Sequence, residues 1–90
     1  MSGKNRKALK PGEWLLVKRL AGHRCVSCGK PEAVAKLTLD HVLPVSKGGS
    51  DRVENVQPLC EECNLRKADR AIDYRSEGWM ERLREEQNKA

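Results

Sequence analysis

Phenylalanine is absent from this chain, and one Tyr and two Trp hold the aromatic share to 3%. Trp14, Tyr74 and Trp79 are too few and too scattered to form a platform for stacked bases, so they are expected in or beside the core. With 34% of its 90 residues charged, the chain must build that core from Leu, Val, Ile and Ala. A domain this short commonly needs a metal or cross-links to hold it. Long apolar runs are also missing. Trp14 to Val17 is stopped by Lys18 and Arg19, which excludes a membrane span and gives no secretory signal, so the cytoplasm is the expected location. Histidine occurs only at His23 and His41, and neither an internal repeat nor a low-complexity segment is visible.

What is present is basic charge at one end and cysteine in pairs. Residues 1–30 hold eight Lys or Arg against one Glu, a local charge of +7, while residues 31–90 hold ten basic and twelve acidic side chains, or −2, within an overall +5. A basic arm containing Lys4, Arg6, Lys7 and Lys10 suits a phosphate backbone, where counterion release drives binding without regard to sequence. Cys25 and Cys28 form one Cys-x-x-Cys pair and Cys60 and Cys63 another. In a reducing compartment such pairs hold metal more readily than they form disulfides, and four thiolates around one tetrahedral Zn²⁺ make a closed structural site. The 31 residues between the pairs exceed the roughly 15 to 20 of a zinc ribbon. A zinc ion would therefore clamp the two ends of a substantial inserted segment.

Local signals divide the chain into short elements. Pro11 and Gly12 introduce a helix over Glu13–Leu20, with its acid early, its cations late and Gly22 as a stop. Leu37 and Leu39 alternate with Thr38 and Asp40, the period of a strand ending at the Asp-His pair. Val42 to Arg52 is a loop with Pro44, Gly48, Gly49 and Ser50, and Val53 to Leu59 can carry a second strand. From Glu61 the chain has helix formers and no breaker as far as Asp73, placing Cys63, Asn64 and Lys67 on the first turns of a helix. Glu77 to Lys89 reads as an amphipathic helix with Trp79, Met80 and Leu83 at helical spacing.

Inside the inserted segment His41 is the candidate for a base that takes a proton from water near neutral pH. Asp40 and Asn64 offer oxygen ligands, which favour Mg²⁺ or Mn²⁺ over a thiolate-seeking metal. Adjacent strand residues point to opposite faces, so Asp40 and His41 can serve one site only if the strand bends or ends there. Lys67, one helical turn after Asn64, is a candidate phosphate contact together with Lys47 and Arg66. The glycines beside Lys47 also suit a plain turn.

The run DHxxPxSxGGxxxxxN from Asp40 to Asn55, followed by LCxxCNxxK from Leu59 to Lys67, resembles the HNH family of endonucleases, the ββα-metal or His-Me finger group. The resemblance covers about half the chain, and the cysteine pairs extend it back to Cys25. It implies an α+β fold in which two short antiparallel strands pack on a helix, with one divalent ion between hairpin and helix. It further implies that His41 is the general base, that Asp40 and Asn64 hold the catalytic Mg²⁺ or Mn²⁺, and that Asn55 braces the loop and orients the His. Asn64 stands where the last His of the motif is expected, an H-N-N version that puts oxygen in place of nitrogen at the metal.

The expectation is a metal-dependent endonuclease acting on double-stranded DNA and leaving 3′-hydroxyl and 5′-phosphate ends. Its organisation would be a basic arm at 1–12, a zinc-stapled nuclease domain at 13–72 and a C-terminal amphipathic helix at 73–90. It would act as a monomer or weak homodimer, without a membrane, and a protein partner could supply targeting. A zinc-stapled DNA-binding module without catalysis is the alternative, and a zinc module docking on a larger protein through Trp79, Met80 and Leu83 is a third. No base-reading element is evident outside the motif, and phosphate contacts carry affinity without sequence information.

Overall fold

The computed structural model describes residues 9–89. Among these the elements run α1 (Pro11–Leu20), β1 (Leu37–His41), β2 (Val56–Cys60), α2 (Glu61–Lys67) and α3 (Trp79–Gln87), with 3₁₀ turns at Val45–Lys47 and Val53–Asn55. The fold is α+β. Proline at the first helical position and a bond from the Lys10 backbone N–H to Glu13 Oε1, 3.0 Å, start α1. No helix among the described residues is long and apolar enough to cross a membrane. Lys4, Arg6 and Lys7 of the basic arm lie outside the described residues.

β1 and β2 form an antiparallel hairpin with Leu37 opposite Cys60, Asp40 opposite Gln57 and His41 opposite Val56. All five residues of β2 are buried, because the strand packs against α1 as well as α2. Its polar alternation is therefore absent, and the expected strand over Val53–Leu59 starts later: Val53–Asn55 is a 3₁₀ turn.

Two apolar clusters support this hairpin. Val17 of α1, Val53, Val56, and Trp79 and Leu83 of α3 make the first, and Leu37 and Leu59 join Cys25, Cys60 and Cys63 in the second. Arg75 and Arg82 lie 5.9 and 5.8 Å from the centre of the Trp79 ring, and their guanidinium groups donate to the Glu54 and Leu20 carbonyls. The stripe of Trp79, Met80 and Leu83 is thus not the docking face that the third reading required: Trp79 and Leu83 are buried against α1.

A second correction concerns α2, expected to continue to Asp73 but ending at Lys67. Ala68 takes φ +54°, an unusual value for a residue with a Cβ, and turns the chain out of the helix. Beyond it Gln57, fully buried, donates from Nε2 to the Ile72 carbonyl at 2.9 Å and accepts the Tyr74 N–H at 3.0 Å. These bonds pull the segment back over the hairpin and outweigh its helix propensity.

Candidate metal centre and active-site cleft

The four cysteines arrive from three places. Cys25 and Cys28 sit in a knuckle where Gly29, at φ +85°, brings its N–H back to the Cys25 carbonyl at 2.8 Å. Cys60 ends β2, and Cys63 lies in the first turn of α2. All four thiols are free, and their sulfurs lie within 4.8 Å of one another. The Cys28 and Cys60 sulfurs are 3.8 Å apart. A ZnS₄ tetrahedron with bonds of about 2.3 Å has edges of about 3.8 Å, the separation of the Cys28 and Cys60 sulfurs, so the four thiols are close enough together to fit a zinc ion. Burial works to raise the Cys25 thiol, but N–H groups of Cys28, Cys60 and Ser27 outweigh it and bring the pKa down to about 7. Burial dominates at Cys63 and pushes it up to about 12. Among the described residues this is the only group of three or more His, Cys, Asp or Glu close enough to share an ion.

A second site lies between the hairpin and α2, a cleft of about 370 Å³ lined by Asp40, His41, Asn64, Lys67 and Asp69 together with Pro44 and Val45. β1 ends at His41, and both Asp40 and His41 are among the residues that line the cleft. Asp40 is only 6% exposed. Its Oδ2 accepts from Gln57 Nε2 at 2.9 Å and pairs with Lys67 Nζ at 3.2 Å. Asn64, from the first turns of α2, donates its Nδ2 to Thr38 Oγ1 at 2.8 Å, which turns the amide against β1. The Asp40 carboxylate and the Asn64 amide offer oxygen donors of the type that hard divalent ions take, and the Lys67 ammonium already pairs with that carboxylate.

Lys67, a candidate phosphate contact in the sequence, is instead turned inward. It is 1% exposed, and besides Asp40 its ammonium donates to the His41 carbonyl at 3.0 Å. It holds the end of β1 onto α2. Lys47 and Arg66 are exposed; Lys47 closes the 3₁₀ turn in the loop, and Arg66 pairs with Glu62 at 3.0 Å, one helical turn away.

Asn55 spans the loop. Its Oδ1 accepts the Leu43 N–H at 3.0 Å, and its Nδ2 donates to the carbonyls of Leu43 at 3.0 Å and Ser50 at 2.8 Å. Gly49 is packed beneath this clasp, where a Cβ would overlap the Leu43 carbonyl oxygen, so the glycine is demanded by space. Two residues that the motif reading passed over complete the site. Gln57 ties Asp40 to the segment after α2, and Asp51 meets His41, Oδ1 to Nε2, at 3.0 Å. Gln57 carried one available signal, a polar residue inside an otherwise apolar strand; Asp51 stood in a polar loop and carried none.

A family model described as HNH endonuclease matches residues 25–77, more than half of the chain, including both cysteine pairs and every residue lining the cleft. The chain is also similar to Anaredoxin from Nostoc sp. (strain PCC 7120), 34% identical over 50 residues, which are 56% of this chain and 63% of that protein. The match therefore spans less than two thirds of that relative.

Proposed function

We propose that this chain, which belongs to the HNH endonuclease family, hydrolyses phosphodiester bonds of double-stranded DNA in the cleft between the β1–β2 hairpin and α2. The observation that carries this reading is the meeting of Asp40, His41 and Asn64, separated by up to 24 positions in sequence, on one small cleft. A hard divalent ion, Mg²⁺ or Mn²⁺, held by Asp40 and Asn64 would polarise the scissile phosphate and stabilise charge on the departing 3′ oxygen. His41 accepts the proton of the attacking water, whose oxygen bonds to phosphorus as the bond to the 3′ oxygen breaks. The products are a 5′-phosphate and a 3′-hydroxyl, the latter taking its proton from solvent. Asn55 fixes the loop that follows His41, and Lys67 fixes the strand end that carries it. Zinc held by Cys25, Cys28, Cys60 and Cys63 would join the knuckle to the start of α2 and so support the shape of the cleft. Lys47 and Arg66, both exposed, are the described candidates for phosphate contacts.

One observation favours a second reading, a zinc-stapled DNA-binding module without catalysis: the Asp40 carboxylate is already neutralised by Lys67. Supercoiled plasmid with zinc-loaded protein separates the two. Nicking that requires added Mg²⁺ or Mn²⁺ and disappears in His41→Ala supports the nuclease. Plasmid bound but uncut by folded protein, with or without the divalent ion, would establish the binding module instead.

A further inference from the structure

We propose that Asp51 is a positioning residue for His41, fixing its ring so that Nε2 carries the proton and Nδ1 is left as the acceptor for the attacking water; this rests on the nuclease reading above. Imidazole has two nitrogens, and the neutral ring protonates only one of them. Asp51 Oδ1 lies 3.0 Å from His41 Nε2. An ionised carboxylate only accepts, so this contact requires a proton on Nε2. The lone pair is then on Nδ1, which has no hydrogen bond among the described residues. His41 is one of the residues lining the cleft, and under the nuclease reading Nδ1 is the nitrogen left to take a proton there.

The contact is held from behind. Asn55 Nδ2 donates to the carbonyl of Ser50, the residue immediately before Asp51, and its Oδ1 and Nδ2 clasp Leu43 at the other end of the loop. Ser50 Oγ also accepts the Arg52 N–H at 3.2 Å, closing a turn around Asp51. No bond from the Asn55 side chain to the His41 ring is recorded among the described residues, yet Asn55 anchors the backbone before Asp51 through the Ser50 carbonyl and after it through its own N–H to the Arg52 carbonyl at 2.9 Å. Its effect on His41 is thus transmitted through Asp51. With side chains 29% and 20% exposed, the His41–Asp51 pair is shielded enough for the hydrogen bond to compete with water. The arrangement is the carboxylate–histidine pairing by which second partners select a tautomer and aim a ring.

The test uses the full zinc-loaded chain and the variants Asp51→Ala and Asp51→Asn, with folding checked by circular dichroism. Ring ¹⁵N shifts report which nitrogen of His41 is protonated. Single-turnover nicking with Mg²⁺ or Mn²⁺ gives the cleavage rate apart from DNA affinity. Asp51→Ala is expected to mix the two tautomers and slow cleavage roughly 10- to 100-fold, with DNA affinity unchanged. Asp51→Asn, whose amide oxygen still accepts from Nε2, is expected to restore the tautomer and part of the rate. A folded Asp51→Ala protein that keeps the wild-type tautomer and rate would overturn the proposal. Wild-type protein that cuts nothing would sink the nuclease reading, while the ring shifts would still decide the role of Asp51: mixed tautomers in Asp51→Ala support it, and an unchanged ring overturns it.

Discussion

Replacing Lys67 by Met keeps most of the aliphatic stem and removes the charge from one of the most enclosed ion pairs in the molecule. Lys67 and Asp40 side chains are 1% and 6% exposed, with Nζ 3.2 Å from Oδ2. The variant leaves a buried carboxylate with the Gln57 amide as its remaining recorded partner, and it also frees the His41 carbonyl. Breaking one side of a buried pair costs about 3–5 kcal/mol, far more than the pair contributes relative to apolar groups. A chain of this length has a total stability of roughly 5–13 kcal/mol, so Lys67→Met should lose a quarter or more of it. The assay is urea unfolding of zinc-loaded protein without Mg²⁺ or Mn²⁺, followed by circular dichroism, with the slope checked so that only the midpoint changes. Lys67→Met/Asp40→Asn, which removes both charges, should recover a large part of the loss and give a coupling energy above about 1 kcal/mol. Added Mn²⁺ should raise the midpoint of Lys67→Met more than that of the wild type, because a cation in the cleft replaces the missing ammonium. A midpoint unmoved by Lys67→Met, or coupling near zero, would refute the reasoning.

Two further outcomes follow from other parts of the molecule. Metal analysis should find about one zinc per chain, and Cys60→Ser or chelation should abolish the folded circular dichroism spectrum; a spectrum unchanged after zinc loss would remove the staple, and iron with visible absorbance would redefine the centre. Acid sensitivity should have a contribution from Asp73, whose carboxyl the Arg75 guanidinium holds below the usual carboxylate range. A depressed folded pKa stabilises above the unfolded value of about 3.9 and loses that stability as pH falls through the folded value, so Asp73→Asn should lower stability at pH 7, converge with the wild type at the acid end and thereby flatten the dependence on pH below about pH 4. With 49% of the Asp73 side chain exposed, the effect should be small.

The elements that were legible in the sequence are those whose signal is local. The alternation of Leu37 and Leu39 with Thr38 and Asp40 marks β1, and Pro11 with Glu13 marks the start of α1. The polar and apolar pattern of β2 is not local: packing against both α1 and α2 buries every residue, so nothing in the pattern marks where the 3₁₀ turn gives way to the strand. The end of α2 was hidden for the same kind of reason. Ala68 to Asp73 contains only residues that tolerate a helix, and the decision is made by Gln57, eleven positions before Ala68, which binds Ile72 and Tyr74.

The candidate site divides along similar lines. Residues that would meet a metal or a reacting water have few substitutes: four thiols for zinc, a carboxylate and an amide oxygen for a hard ion, an imidazole for the proton. Such a requirement shows in residue type and spacing, and Cys25, Cys28, Asp40, His41, Asn64, Cys60 and Cys63 stand out before any fold is known. Supporting groups face a looser requirement, since any acceptor within reach of His41 Nε2 or any cation within reach of Asp40 satisfies the physics. Which residue takes the post is settled by how the chain passes the spot. Asp51 is there because Asn55 holds the Ser50 carbonyl and the glycine at 49 lets the loop close on Leu43. Lys67 is the intermediate case. Its charge drew notice as a phosphate contact, but only the closure of α2 on β1 turns that charge inward to the Asp40 carboxylate.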